Sequence, residues 1–327
     1  MRLLKRLVEA DAPSGREDEI RALIIREAEK FGYEVKTDAL GSVIAHKVGN
    51  GKKLMLDAHI DEIGVIATYI EDEGFIRFGA VGGLDVKELH KRRVRFANGV
   101  VGVVAAEDER FEKKPELTRL YIDIGARDKA AAEKLVCAGD TAVFDGGFTQ
   151  RGDTIISKAL DDRVGCYMLL QTMKKVKKSP NDLYFVFSVQ EEVGLRGART
   201  AAFNIMPEYA IAVDVTDTGD RPSCAPMDVK LGGGAAIKVM DRSVMCDSHV
   251  VGILRSLAEE KGIPYQNEIM ADGGTDAGAI ALTGSGVRAG GISLPTRYIH
   301  SPSEMADIGD IKACIRLLTA ACEYKWE

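Results

Sequence analysis

The segment LYFVFSVQEEVGLRGARTAAF, residues 183–203, decides the fold because it holds a strand, a polar turn and a helix in one run. Leu183–Val189 is almost wholly apolar, which is typical of a buried strand. Gln190-Glu191-Glu192 follows directly, and a helical pattern then runs over about Leu195–Phe203. A strand followed at once by a helix predicts an α/β domain, in which ligands bind at the carboxyl ends of the strands.

The same alternation continues on both sides of this segment. Further strands are predicted at Val43–Ala45, Lys53–Leu56, Tyr209–Val213, Ala235–Val239 and Val287–Leu294. Helices are predicted from Asp161 to about Lys177, over about Ser248–Lys261 and over about Asp310–Lys325. Near the N-terminus Ser14-Gly15-Arg16-Glu17 has the pattern of a capping box, and the helix after it is expected to stop at Gly32. We therefore predict a mostly parallel sheet with helices on both faces.

Residues 64–143 differ from their surroundings because strand signals are dense there and helix signals are few. Residues 63–78, IGVIATYIEDEGFIRF, predict a hairpin that turns at Asp72–Gly74, and Asn98-Gly99 is a strong two-residue hairpin signal. We predict a small barrel-like β domain inserted into a catalytic domain formed by residues 1–63 and 144–327. Four of its apolar residues are expected either to form interfaces or to fill the core of the small domain: Ile70, Phe75, Ile76 and Phe78.

Length and charge limit the classes of partner. The chain of 327 residues is long enough for two domains or for one domain with a large insertion. Fifty acidic against 44 basic residues give a net charge of −6 without any basic run, which argues against nucleic acid and anionic membranes. The sequence shows neither a membrane span nor the apolar core of a signal peptide. Six scattered cysteines favour buried thiols in a reducing compartment, so we expect a cytoplasmic protein.

Polar clusters lie at or near the ends of several predicted strands. They contain Asp57, His59, Asp61, Asp161, Glu191, Glu192, Asp214 and His300. Carboxylates gathered at one sheet edge would repel each other and raise one another's pKa unless a cation neutralised them. Histidines and carboxylates without cysteine form a nitrogen–oxygen donor set that suits zinc, cobalt or manganese. Since one tetrahedral zinc cannot use so many carboxylates, two ions that share a bridging carboxylate are expected.

Six motifs, in this order, resemble the M42 family of metallo-aminopeptidases. They are LDAHIDEIG (56–64), KALDDRVG (158–165), SVQEEVGLRGART (188–200), AVDVT (212–216), GGTDAG (273–278) and RYIHSPSE (297–304). The resemblance covers nearly the whole chain, including the inserted β domain. It implies a zinc-exopeptidase-like catalytic domain and an insertion that serves dimerisation.

The resemblance also implies a role for individual side chains. His59 and Asp214 would bind one metal ion, Glu192 and His300 the other, and Asp161 would bridge both. On the same ground, Asp61 would hold the imidazole of His59 through its second nitrogen, and Glu191 would be the general base. A cis peptide bond between Asp161 and Asp162 is implied as well.

The function implied by the resemblance is a metal-dependent aminopeptidase that removes N-terminal residues from peptides with two divalent ions per subunit. Family members form dodecameric tetrahedral particles, so a homododecamer built from dimers is implied too. A deacylase or carboxypeptidase of the same clan is an alternative, although those enzymes usually carry an inserted domain with helices. An endoglucanase would need only a carboxyl pair such as Glu191 and Glu192, which leaves both histidines without a role. The preferred N-terminal residue is left open, with a mild preference for neutral aliphatic over acidic residues.

Overall fold

The computed structural model describes residues 1–108 and 110–327, and two β-structures organise them. One is an 11-stranded sheet and the other is a closed barrel. In chain order the strands are β1 (Glu34–Thr37), β2 (Val43–Lys47), β3 (Lys53–His59), β4 (Gly64–Ile70), β5 (Ile76–Val81), β6 (Arg93–Phe96), β7 (Val101–Ala106), β8 (Leu120–Asp123), β9 (Thr141–Phe144), β10 (Thr149–Arg151), β11 (Thr154–Ser157), β12 (Asp182–Ser188), β13 (Tyr209–Thr216), β14 (Ala235–Met240), β15 (Tyr265–Ile269), β16 (Arg288–Arg297) and β17 (Glu304–Asp307).

Helices cover both faces of the large sheet, as predicted. In chain order the helices are α1 (Arg2–Glu9), α2 (Asp18–Ala28), α3 (Val86–Leu89), α4 (Arg110–Lys113), α5 (Lys129–Glu133), α6 (Leu160–Lys175), α7 (Arg196–Ile205), α8 (Ser248–Glu260), α9 (Asp276–Ala281) and α10 (Ile308–Glu323). Of these, α3, α4 and α5 lie between strands of the barrel and do not belong to the layers of the large sheet. Strand β3 shows how helices pack on both faces of the sheet, because successive side chains of a strand point to opposite faces. Leu54 and Leu56 pack in the core with α6, α8 and α10, whereas Met55 packs with α7 and α9.

The centre of the sheet is parallel, and its margins are antiparallel. The large sheet runs β1-β2-β12-β3-β13-β16-β17-β11-β10, with β14 and β15 joined to β16. The pairs β12/β3, β3/β13 and β13/β16 are parallel, while β1, β2, β17, β11 and β10 pair antiparallel with their neighbours. The carboxyl ends of four adjacent central strands therefore meet at one edge.

Strands β4 to β9 close into the six-stranded barrel β4-β5-β8-β7-β6-β9. Both predicted hairpin turns are present, since β4 and β5 are joined by residues 71–75 and Gly99 takes a left-handed conformation between β6 and β7. Ile70, Ile76 and Phe78 are buried in the core of the barrel, and Phe75 is half-buried against Tyr121. Of the two roles expected for these residues, filling the small domain's own core is the one observed for the three buried side chains.

The predicted capping box is wrong. Helix α2 begins at Asp18 after Glu17, and no side chain caps its first turn. The hydroxyl of Ser14 instead donates to Oδ2 of Asp61 at 2.6 Å. The predicted stop is correct, because a 3₁₀ turn ends at Gly32 with φ of 75°.

Two further predictions concern the whole chain. All six cysteines are free thiols; Cys166, Cys314 and Cys322 are buried and Cys137 is exposed. Within the described residues, no helix is long and apolar enough to cross a membrane.

Candidate metal site

The candidate site lies at the carboxyl edge of the central strands. His59 is the last residue of β3, Glu191 and Glu192 follow β12, and Asp214 lies near the end of β13. His300 follows β16, three residues after its last residue. Because β12, β3, β13 and β16 are adjacent and parallel, their carboxyl ends bring these side chains together, as the rule for open α/β sheets predicts.

Asp161, near the start of α6, lies at the centre of the group. Its Oδ1 is 3.0 Å from Nε2 of His59, and its Oδ2 is 3.3 Å from Nε2 of His300. Nε2 of His300 is also 3.3 Å from Oε2 of Glu192. Donor atoms of His59, Asp161 and Asp214 all lie within 4.8 Å of one another, and so do those of Asp161, Glu192 and His300. The two groups share the carboxylate of Asp161.

The electrostatics of this cluster fit divalent cations. Burial, together with the charge of Asp161, raises the pKa of Asp214 to about 7. Burial also raises the pKa of Glu192, although His300 opposes the shift. Oε1 of Glu192 is buried without a hydrogen-bond partner among the described residues. Buried carboxylates and an oxygen with a free lone pair are the donors that a bound cation would satisfy, so the residues present fit a metal centre.

The pKa values of the two histidines are raised by the same excess of negative charge. Burial lowers the pKa of His300, but the carboxylates of Asp161 and Glu192 outweigh it and raise the value to about 12. Burial likewise opposes the raised pKa of His59, which Asp161 and Asp61 hold above its ordinary range. Protons and metal ions would therefore compete for the same ring nitrogens, because a ligating imidazole must be neutral.

Asp61 contacts both the ring of His59 and the backbone of the turn after β12. Nδ1 of His59 is 3.2 Å from the backbone oxygen of Asp61 and 3.4 Å from its Oδ1. The fully buried carboxylate also accepts the backbone N–H groups of Glu191 at 3.0 Å and of Glu192 at 3.3 Å. With Ser14 as a further donor, Asp61 connects three segments that are far apart in the sequence, at residues 14, 59–61 and 191–192.

Glu191 lies beside the cluster without joining either group of donors. Its Oε2 is 3.9 Å from Nε2 of His59, which is beyond hydrogen-bond distance. Burial raises the pKa of Glu191, the nearby charges of Asp276 and Asp214 add to this, and His59 opposes them. In the turn that follows β12, the side chain of Glu192 reaches Nε2 of His300 at 3.3 Å, whereas that of Glu191 lies on the side of His59.

Sequence reasoning missed Glu304, although it lies within the quoted motif RYIHSPSE. This buried carboxylate accepts the backbone N–H of Asp161 at 3.0 Å and that of His300 at 2.9 Å. It therefore holds the backbones of two predicted ligands in place. Its position four residues after His300 was the available signal, but a pairing with a residue 143 positions away leaves no local trace.

Three other acidic residues lie next to the candidate site. Oδ2 of Asp162 accepts the backbone N–H of His59 at 3.2 Å, and the Asp161–Asp162 peptide is cis, as the resemblance implied. Oγ of Ser188 is 3.2 Å from the carboxylate of Asp57 and 2.8 Å from that of Asp276. Burial and the charge of Asp276 raise the pKa of Asp57 well above its ordinary range.

An open cleft of about 670 Å³ leads away from the cluster. Its walls come mainly from residues 215–227 and 269–274. Gly273 and Gly274 line this cleft, whereas Gly232 and Gly234 donate their backbone N–H groups to Asp310 at 2.7 Å each. The glycines of the GGTDAG motif therefore border the cleft, whereas those at 232 and 234 do not.

Comparisons with known proteins agree with this geometry. Residues 41–317 match the family model described as M42 glutamyl aminopeptidase. A protein from Acetivibrio thermocellus that bears a provisional aminopeptidase name is 52% identical over 98% of this chain and 97% of its own length. The lysyl aminopeptidase of Pyrococcus furiosus is 33% identical, with 98% of this chain and 96% of that protein covered.

Solved structures of the same fold carry two kinds of name. The TET1 peptidase of Pyrococcus horikoshii, described as assembling into a tetrahedron or a large octahedral shell, has a TM-score of 0.88 at 34% identity and covers 98% of both chains. A Thermotoga maritima structure described as an endoglucanase has a TM-score of 0.83 at 31% identity, covering 98% of this chain and 96% of that one. The family model spans most of the sequence and the relatives align over nearly their whole length. The chain therefore belongs to the M42 family of aminopeptidases.

Proposed function

We propose that this aminopeptidase uses two divalent metal ions per subunit to remove N-terminal residues from peptides. His59 and Asp214 would hold one ion, Glu192 and His300 the other, and Asp161 would bridge them. The observation that carries this proposal is the position of Asp161, whose two carboxylate oxygens face different histidines at 3.0 and 3.3 Å. Such a shared carboxylate is typical of two-metal hydrolases.

The donor set limits the identity of the ions. It consists of imidazole nitrogens and carboxylate oxygens, which suits zinc, cobalt or manganese. When bound, the ions would supply a Lewis acid for the scissile carbonyl and would lower the pKa of a nearby water. The buried carboxylates of Asp161 and Asp214 lie close together, and this concentration of negative charge supports the binding of cations between them.

Glu191 would act as the general base. Its carboxylate would accept a proton from the attacking water and then deliver a proton to the leaving amine. Three features of the geometry support this role: the side chain is only 12% exposed, it borders the cleft, and it makes no hydrogen bond to the ligand histidines. Asp61 would keep Glu191 aligned through the backbone hydrogen bond and would keep His59 in one ring orientation.

The variant Glu191→Gln tests the base role. We expect it to bind metal like the wild type and to lose roughly a hundredfold or more in kcat, the scale of a lost general base. Metal content is measured by mass spectrometry and turnover with an aminoacyl-p-nitroanilide. Glu260→Gln, which removes an exposed carboxylate of α8, is the matched control. Near-normal turnover of Glu191→Gln at full metal occupancy would remove Glu191 from this role.

Assays of the wild-type enzyme on different substrates distinguish the alternative functions. An aminopeptidase cleaves substrates with a free α-amine, whereas a deacylase of the same clan cleaves N-acyl amino acids. An endoglucanase needs no metal, so hydrolysis of cellulose that survives exhaustive chelation would support the name of the Thermotoga relative. We expect cleavage of aminoacyl substrates alone, lost on chelation and restored by added metal.

We further propose that the barrel, residues 64–143, joins subunits into dimers and that these assemble into a dodecamer. The TET1 relative is described as assembling into a tetrahedron or a large octahedral shell, and the barrel exposes several large apolar side chains: Tyr69, Val101, Val103 and Leu135. Val101 and Val103 are both exposed on the same face of β7, and neighbouring exposed apolar residues are typical of an interface. Analytical ultracentrifugation of the wild type and of Val103→Asp tests this, because the charge should shift the particle toward smaller species. An unchanged particle mass would exclude Val103 from the interface.

A further inference from the structure

Two consecutive glycines of the barrel lie against two of the proposed metal ligands. Gly82 and Gly83 come directly after β5, so they belong to the inserted domain and not to the sheet that carries the ligands. A β-carbon on Gly83 would lie 3.1 Å from Nδ1 and 3.2 Å from Cε1 of His300. A β-carbon on Gly82 would lie 3.1 Å from Oε2 of Glu192. The backbone of this segment therefore lies next to the two side chains that would bind the same ion.

Residues of the barrel anchor this segment on both sides. Val81 before it is buried, and Leu84 after it packs against the hydrophobic core of the barrel. Asp85 then caps α3 by accepting the backbone N–H of Lys87 at 2.9 Å. The position of the two glycines is thus determined by the fold of the inserted domain.

The contact involves one of the two proposed ions and not the other. The atoms nearest to a β-carbon on either glycine belong to Ile63, Glu192 and His300. None of these nearest atoms belongs to His59 or Asp214, the two residues that would hold the other ion together with the shared carboxylate. A change in this segment should therefore act on a single metal site.

The two proposed histidine ligands are oriented in different ways. A histidine that binds a metal through one ring nitrogen usually donates the other N–H to an oxygen, which fixes the plane of the ring. His59 follows this rule, since its Nδ1 is 3.2 Å from the backbone oxygen of Asp61. Nε2 of His300 faces carboxylates, but among the described residues its Nδ1 has no hydrogen-bond partner. The Nδ1 edge of His300 instead lies against Gly83.

A side chain at position 83 would displace this ring. Nonbonded heavy atoms attract each other best at about 3.5–4.0 Å, so a β-carbon at 3.1 Å requires a shift of about 0.4 Å. The ring of His300 would move, because the barrel anchors the segment and 36% of the histidine side chain is exposed. Its Nε2 lies 3.3 Å from Oδ2 of Asp161 and 3.3 Å from Oε2 of Glu192, and the shift would disturb both distances. Distances in a metal site vary by only about 0.2 Å around their usual values.

We propose that Gly83 is a positioning residue for the ion held by Glu192 and His300, so that the barrel forms part of the metal centre. The inference rests on the proposed two-metal function and adds a residue of the inserted domain to that site. Gly82 belongs to the same wall, but its φ of 81° also requires glycine for conformational reasons. The backbone of Gly83 lies outside the left-handed region, so a substitution there tests the available space alone.

The test compares the affinities for both ions in Gly83→Ala and in the wild type. We expect the added methyl group to weaken binding of the ion held by Glu192 and His300 by about tenfold, equivalent to about 1.4 kcal/mol. The affinity for the other ion should change by less than about threefold. Titration against a chromophoric chelator measures the affinities, and mass spectrometry after dialysis counts the retained ions. In the Glu192→Gln background, Gly83→Ala should have no further effect on the ion that remains.

Gly79→Ala is the matched control. Gly79 lies in β5 of the same barrel, and a β-carbon there would meet Cγ2 of Ile66 at 3.5 Å and Cγ2 of Thr68 at 3.6 Å. These are ordinary contacts, so this alanine should leave both metal affinities unchanged. The metal-free Gly83→Ala protein should melt within about 2 °C of the metal-free wild type, because the substitution removes no buried contact.

The outcomes separate the two proposals. A wild type that binds fewer than two ions per subunit would overturn the proposed two-metal function and this inference together. Two ions with unchanged affinities in Gly83→Ala, an equal loss at both sites, or the same loss in Gly79→Ala would overturn only the inference. If Gly83→Ala does not fold, Leu84→Ala decides, because it loosens the segment from the barrel core without adding an atom. That variant should weaken the same ion, and unchanged affinities in it would contradict the role of the segment.

Discussion

Replacement of Glu304 by glutamine should weaken metal binding without removing any proposed ligand. The carboxylate of Glu304 accepts the backbone N–H groups of Asp161 at 3.0 Å and His300 at 2.9 Å. Glutamine keeps one acceptor oxygen and places an NH₂ group against the other N–H. One hydrogen bond to a charged acceptor is therefore lost at a site that is 2% exposed.

The size of the effect follows from that geometry. A hydrogen bond to a charged group contributes about 1.5–3 kcal/mol, and loss of the partner of a metal ligand typically costs about 10- to 100-fold in metal affinity. We expect the affinity for the ion held by Glu192 and His300 to fall more than that for the ion held by His59 and Asp214. Glu304 supports Asp161, which both donor groups share, and also His300, which belongs only to the group with Glu192. Titration against a chromophoric chelator measures both affinities, and kcat at saturating metal should stay within about threefold of the wild type since Glu191 is untouched.

Asp310→Asn is the matched control. Asp310 is also a buried carboxylate that accepts two backbone N–H groups, those of Gly232 and Gly234 at 2.7 Å each, but these glycines are not part of the cleft. Asparagine there should lower the melting temperature of the metal-free protein and leave metal affinity unchanged. Wild-type affinity in Glu304→Gln, or an equal loss of affinity in Asp310→Asn, would refute the reasoning.

Three further results are expected. Asp161→Asn should reduce metal content by both ions and Glu192→Gln by one, as measured by mass spectrometry after dialysis, because only Asp161 belongs to both donor groups. Lys158→Met should lower the free energy of unfolding by about 3 kcal/mol in guanidinium titrations, since Lys158 pairs with the buried Glu62 at 2.6 Å. The hydrogen bond from Arg297 lowers the pKa of Asp220 from 3.8 to about 2, so its contribution to stability is full above pH 4 and is lost as the pH falls toward 2. Guanidinium titrations at several pH values should therefore show Asp220→Asn less stable than the wild type by about 1 kcal/mol at pH 7, with the difference shrinking in acid.

The central strands could be predicted from the sequence because burial dictates their composition. Leu54, Met55 and Leu56 are fully buried in β3, and such apolar runs between polar turns are visible without a structure. The marginal strands could not be predicted in the same way. All three residues of β10 are exposed, and β1 has the burial of an edge strand, so neither shows an apolar pattern. Each pairs only with the strand that follows it in the chain, β1 with β2 and β10 with β11, and lies at an end of the sheet where burial does not select apolar residues.

The proposed ligands could be predicted for a related reason. Each strand-terminal ligand follows an apolar run, and the topology of a parallel sheet brings such ends together. The residues that support the ligands through hydrogen bonds could not be predicted, because no local sequence pattern marks them. Ser14 has a capping-box partner three residues away, but its hydroxyl donates to Asp61, 47 positions further on. A buried carboxylate that needs donors outcompeted the local cap, and this competition is decided by tertiary packing alone.

Backbone conformation explains why these supporting carboxylates matter. In the part of the chain that the structure describes, eight non-glycine residues have positive φ, and five of them flank the candidate site: Ala159, Gln190, Leu195, Tyr298 and His300. A left-handed conformation costs such a residue about 1–2 kcal/mol. Asp61 and Glu304 offset part of that cost, because each accepts two backbone N–H groups from the strained segments. These four hydrogen bonds thus hold the backbones of Asp161, Glu191, Glu192 and His300 in place, which is the support that a precisely placed ligand set needs.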